Sequence, residues 1–192
     1  MHLSPSRTFN YGNLSLFSPN LECLHVPNNR LETLRGLDTF GHIQYLDLKK
    51  NSIKTLEGID PMRMCKFLDI SDNKLSSLAG ITSFPQLDTF IASRNMIKTI
   101  NVLKSLSKLA MLDLRQNCIQ NLEGLPSKLS PSISTLYLDG NPIVEPVNLI
   151  YLRPFSRLEK LSISETPMAR KLQGKGLGLA RCVELLTNLR LS

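Results

Sequence analysis

The chain has 192 residues, 42% hydrophobic and 20% charged, with 23 Lys and Arg against 16 Asp and Glu. That length and apolar share allow a sizeable core, and no stretch approaches the roughly 18 apolar residues of a membrane span. The opening M-H-L-S-P-S-R-T-F-N lacks a signal-type apolar run, and Cys23, Cys65, Cys118 and Cys182 form no C-x-x-C pair. Reduced thiols inside the cell are therefore expected, in a cytoplasmic or cytoskeleton-associated protein with the nucleus as a further option.

Residues 1–20 carry Phe9, Tyr11, Leu14, Leu16 and Phe17, enough apolar surface to cover the open end of whatever follows. They are expected to form an N-terminal cap. From Leu21 onward one pattern recurs every 22 residues, clearest at Cys65–Phe84, as L-x-x-L-x-L-x-x-N-x-L-x-x-L-x-x-L-x-x-L. Full copies begin at Leu21, Ile43, Cys65, Leu87 and Leu109, a sixth at Ile133, and a partial seventh at Leu158. The alternating L-x-L predicts a short strand with one face buried. An asparagine follows each strand, at Asn29, Asn51, Asn73, Asn95, Asn117 and Asn141. An amide both donates and accepts, so it suits a buried turn whose backbone groups need partners. Apolar residues at every third position then suit 3₁₀ turns. One copy cannot bury its own apolar side, whereas stacked copies can. The expected fold is an α/β solenoid, a curved coil with a parallel sheet on its concave side and short 3₁₀ or turn segments on its convex side.

The period lengthens toward the C-terminus. From Leu109 to Ile133 is 24 residues, and the extra length falls at Pro126–Ser132, expected as a turn-rich bulge on the convex side. From Ile133 to Leu158 is 25 residues, with a helical turn or two expected over Val147–Leu152 before Pro154. Thr166 stands where an asparagine belongs, which predicts a looser turn. Beyond Met168 the repeat breaks, and Gly174, Gly176 and Gly178 predict a mobile loop. It is no phosphate-binding loop, since G-x-x-x-x-G-K-[ST] is absent. A short helix over Leu179–Leu186 and an edge strand over Leu186–Leu191 complete the expected layout, in which 169–192 caps repeats spanning 21–168.

These copies resemble leucine-rich repeats. The 22-residue period with N-x-I-x-x-L-x-G-I, as at Asn51–Ile59, resembles the subclass typified by the nuclear regulatory subunit of protein phosphatase 1. That subclass also contains centrosomal and axonemal proteins and the A-prime protein of the U2 spliceosomal particle. The resemblance implies a right-handed coil and a non-catalytic scaffold at the cytoskeleton, centrosome or cilium. A phosphatase-regulating subunit and a protein component of a ribonucleoprotein are the alternatives it implies. It leaves the binding positions free, because the motif describes the scaffold.

The register lists the outward side chains directly. One column runs Cys23, Tyr45, Phe67, Thr89, Met111, Thr135, Lys160, and the next His25, Asp47, Asp69, Ile91, Asp113, Tyr137, Ser162. The third contains Lys49, Arg115 and Asp139, and the fourth Lys50, Arg94 and Gln116. A protein partner is expected on Tyr45, Asp47, Lys49, Phe67, Asp69, Ile91, Arg94, Met111, Asp113, Arg115, Tyr137 and Asp139, anchored by the aromatics and oriented by the charges. The alternative is that Tyr45 and Phe67 merely brace the sheet. His25 with Asp47 and Asp69 reads as carboxylate–imidazole pairing and not as a metal site, lacking a second imidazole or thiolate. Cys23 beside His25 has no pocket or oxyanion donors, so no enzyme and no cofactor are expected. Residues from Glu145 onward hold eight Lys or Arg against four Glu, a basic surface without interleaved aromatics. Direct nucleic-acid binding and a small-molecule substrate are accordingly not expected, and a monomer is.

Overall fold

A computed structural model describes residues 20–58 and 61–174. Each L-x-L segment is a three-residue strand: β1 (Cys23–His25), β2 (Tyr45–Asp47), β3 (Phe67–Asp69), β4 (Thr89–Ile91), β5 (Met111–Asp113), β6 (Thr135–Tyr137) and β7 (Lys160–Ser162). They lie in sequence order in one parallel sheet. The register pairs Tyr45 with Phe67 and Asp47 with Asp69, and likewise along the sheet to Tyr137 with Ser162. The middle residue of every strand points inward: Leu24, Leu46, Leu68, Phe90, Leu112, Leu136 and Leu161 are all buried. The flanking residues point outward. A strand this short is marginal alone, so its persistence comes from the core, which runs without a break from Leu24 to Leu172.

Two features turn the chain at the end of each strand. The first is a left-handed residue at Asn28, Lys50, Asp72, Arg94, Gln116, Gly140 and Glu165, with φ between 52° and 68°. That conformation costs an L-residue about 1–2 kcal/mol. It aims the residue's N–H at the next coil: Lys50 N donates to Ser71 O at 2.9 Å, and Gly140 N to Ser164 O at 2.9 Å. The second is the asparagine. Asn73 Nδ2 donates to Leu48 O, Ile70 O and Ser71 O at 3.0–3.1 Å, while its Oδ1 accepts from Ile53 N at 2.9 Å. Asn51, Asn95, Asn117 and Asn141 each repeat the backward reach, donating to a carbonyl of the coil before and accepting from its backbone. Among the described residues, Asn29 donates within its own turn, to Val26 O and Pro27 O.

On the return side, 3₁₀ turns occupy Leu37–Thr39 and Ile81–Ser83, each entered through a left-handed glycine, Gly36 or Gly80. The lengthened coils depart from expectation in detail. The 126–132 segment is not simply a bulge: its start belongs to a turn of helix, α1 (Leu125–Lys128), and Leu129 and Ser130 are buried. Pro126 sits in the first turn, where its missing N–H costs nothing. A 3₁₀ helix spans Pro146–Leu152, as the 147–152 pattern suggested. Its Asn148 does for the back of the coil what the other asparagines do for the front. Asn148 Oδ1 accepts from Leu122 N at 2.7 Å and Nδ2 donates to Glu145 O at 2.8 Å.

The end of the repeats differs more. Thr166 does not loosen its turn; it is fully buried, donating to Ile163 O at 2.8 Å and accepting from Ala169 N at 3.1 Å. The hydroxyl thereby caps helix α2 (Pro167–Gly174), where the glycine pattern had suggested a loop from Met168 onward. Met168 and Leu172 close over the last coil. The expected N-terminal cap, the Leu179–Leu186 helix and the final edge strand lie outside the described residues. No helix among the described residues is long and apolar enough to cross a membrane.

Candidate protein-binding face

The outward face of the sheet divides into two groups of side chains, joined through Ile91 and Met111 on the central strands. The first group sits on β1–β3. Parallel strands about 4.8 Å apart bring equivalent side chains into contact, and here that spacing stacks two rings. Tyr45 and Phe67 lie 4.1 Å apart between centroids and 5° from parallel, and His25 is tilted against the far side of Tyr45 at 5.0 Å. Both stacked rings remain half-exposed. Beside them His25 Nδ1 meets Asp47 Oδ2 at 3.3 Å. Asp47 Oδ1 accepts from Lys49 N at 3.0 Å, and Asp69 Oδ1 accepts from Ser71 N at 2.9 Å and Ser71 Oγ at 2.6 Å. Each aspartate thus uses one oxygen to fix the strand end. Burial, with the nearby charges of Asp47 and Asp69, raises the Tyr45 phenol above its ordinary value.

The second group surrounds a polar cavity of about 410 Å³ over the ends of β2–β7, lined among others by Lys49, Arg94, Arg115, Tyr137 and Asp139. Arg94 bridges sideways, from Nε to Gln116 Oε1 at 2.9 Å and from Nη1 to Asp72 Oδ1 at 3.4 Å. Arg115 folds back on Asp113, with Nη2 at 2.5 Å and Nε at 3.0 Å from the carboxylate. That bond, more than the neighbouring charge of Asp139, raises the guanidinium above its ordinary value. Arg115 also lies 5.2 Å from the Tyr137 ring centre, and Lys160 lies 5.4 Å from it. Asp139 Oδ1 takes bonds from Ser162 Oγ and Ser164 N, while its Oδ2 is buried and has no partner among the described residues.

Of the twelve residues expected to meet a partner, Asp113 differs from its column-mates. Its side chain is 1% exposed beneath Arg115, so it holds the arginine and offers nothing outward. Asp47 and Asp69 have no arginine two residues on and stay half-exposed. Lys160, Gln116, Asp72 and Glu165 join the cavity region although sequence reasoning did not single them out. Their signal is the register itself, since counting from each strand puts all four in the outward columns.

The cysteines differ in environment. Cys23 and Cys118 are exposed, whereas Cys65 is buried with its Sγ donating to Phe67 O at 3.3 Å. Burial pushes the Cys65 thiol up to about 12, far above the pH at which a thiolate would form. In the native protein at pH 8, iodoacetamide should modify Cys23 and Cys118 and spare Cys65 until denaturant is added. Peptide mass mapping reads this directly, and native-state alkylation of Cys65 would contradict its placement.

No family model matches the chain, and no curated protein matches it. Solved structures do. The sheet-and-turn architecture is similar to internalin F from Listeria monocytogenes at TM-score 0.63 and 23% identity, covering 75% of this chain and 41% of that one. It is similar to internalin C2 of the same organism at TM-score 0.54 and 20% identity, covering 76% of this chain and 72% of that one. The chain in a TLR13–ssRNA13 complex superposes at TM-score 0.67 and 21% identity, covering 79% of this chain. The present chain spans only 23% of that protein's length. These neighbours are leucine-rich repeat proteins. The fold is a leucine-rich repeat solenoid. In such a solenoid the strand register sets the outward side chains in columns along the sheet.

Proposed function

We propose that this leucine-rich repeat chain is a non-catalytic scaffold that holds a protein partner against the outward face of its sheet. The observation that carries the reading is the stacked, half-exposed pair Tyr45–Phe67. Large aromatics on a rigid surface anchor interfaces, because they lose little conformational freedom when covered. The charged residues around them, Asp47, Asp69, Lys49, Arg94 and Arg115, would set orientation. An intracellular setting at the cytoskeleton, centrosome or cilium is the context we propose. It draws on the 22-residue pattern and on the unclustered cysteines. A phosphatase-regulating or ribonucleoprotein role remains the alternative that the same pattern carries. The ribonucleoprotein role would run through a protein contact, and the eight Lys or Arg from Glu145 onward are the feature that speaks for it.

The test is comparative capture from cell lysate, with wild type, Tyr45→Ala, Phe67→Ala and a return-side control, Val147→Ser, which changes an exposed residue. Partners of the sheet face should be retained by the control and lost by both alanine variants. With a purified partner each truncation should weaken binding by about 2 kcal/mol, roughly 30-fold. A loss under about 0.5 kcal/mol for both would move the interface elsewhere.

A further inference from the structure

The aromatic stack on β1–β3 is closed at one end and open at the other. His25 covers the outer side of Tyr45, and Tyr45 covers one side of Phe67. The next residue in that column, paired with Phe67 across β3 and β4, is Thr89. Thr89 is small and half-exposed, and its hydroxyl is turned to Asp88 Oδ1 at 3.0 Å. Among the described residues no ring is stacked on the second face of Phe67. Two residues along the same strand, on the same side of the sheet, stands Asp69. Its Oδ1 is engaged by Ser71, but its Oδ2 takes no hydrogen bond from the described residues.

From this juxtaposition we infer that the sheet face binds a partner segment through an arginine, whose guanidinium stacks on the open face of Phe67 and pairs with Asp69. The inference rests on the sheet-face reading above and gives the partner its chemistry. A guanidinium is planar, so it matches a bare ring and a carboxylate at once, and it is weakly hydrated, so covering it costs little. An ammonium is compact and strongly hydrated and matches only the carboxylate. The surroundings favour a cation: Asp47 and Asp69 act on the Tyr45 phenol as negative charges. Among the described residues no lysine or arginine side chain is ion-paired to Asp69.

A random twelve-residue peptide display library selected against the wild-type protein supplies the test. Two variants keep the fold while removing the recognition. Phe67→Leu keeps apolar volume in the column without a ring, and Asp69→Asn keeps an acceptor for Ser71 N without the charge. Selected peptides should carry arginine at least threefold more often than lysine at one position. Their affinity should fall at least fivefold on each variant. Peptides that require Tyr45 and Phe67 but show no arginine excess would overturn this inference and leave the sheet-face reading standing. Peptides indifferent to Tyr45→Ala and Phe67→Ala, or no enrichment at all, would overturn both.

Discussion

Asn73→Leu should cost about 4 kcal/mol of stability, measured as a shift of the urea midpoint at constant slope. Its amide makes three donor bonds and accepts one. The carbonyls it serves keep second partners: Leu48 O still accepts from Asn51 Nδ2, Ile70 O from Asn95 Nδ2, and Ser71 O from Lys50 N. Ile53 N is different, because Asn73 Oδ1 is its acceptor and the site is buried. A buried N–H left without a partner costs about 1–3 kcal/mol, and each lost bond adds about 1 kcal/mol. A variant that melts like wild type would remove the asparagine ladder from the explanation of this fold.

Gly80→Ala should be nearly as harmful, at about 3 kcal/mol or more. The left-handed φ of 89° already strains an alanine by about 1–2 kcal/mol. An added Cβ would also lie 2.4 Å from Leu56 C and O and 2.6 Å from Glu57 N, which are backbone atoms that cannot swing aside. The coils would have to separate. Gly58, one repeat earlier, is the control: the nearest atoms a Cβ there would meet belong to the flexible Arg35 side chain, at 3.3 Å from Nε. Gly58→Ala should therefore cost about 1–2 kcal/mol, the conformational part alone. One repeat after Gly80, the position is filled by Val102 at φ 64°, a β-branched residue where such a conformation is an outlier. Val102→Gly should stabilise the protein by about 1 kcal/mol despite the freer unfolded chain. Thermal denaturation of the three variants side by side gives the order, and a destabilised Val102→Gly would mean that the valine contributes packing of its own.

The sheet was legible in the sequence because period and alternation together leave one register. The pairing of Tyr45 with Phe67 follows from counting 22 residues. What escaped counting was decided by single side chains. Asp47, Asp69 and Asp113 look alike in the pattern, but only Asp113 has an arginine two residues on, and Arg115 buries it. Thr166 reads as a poor asparagine until Pro167 is weighed as a first helical residue. The pair is then a helix start. The left-handed column was hidden because only one of its seven members, Gly140, is a glycine. Asn148 was hidden because it serves the back of a coil whose length matches no other.

The backward reach of the asparagines gives assembly a direction. Leu31 N waits for Asn51, Ile53 N for Asn73, and Leu75 N for Asn95, each about twenty positions later in the chain. On the ribosome, a nascent coil therefore stays unlatched until its successor emerges, and every arrival fastens what was made before it. Thr166 ends that relay: with its hydroxyl committed to a helix start, it closes the series and passes the chain on to α2.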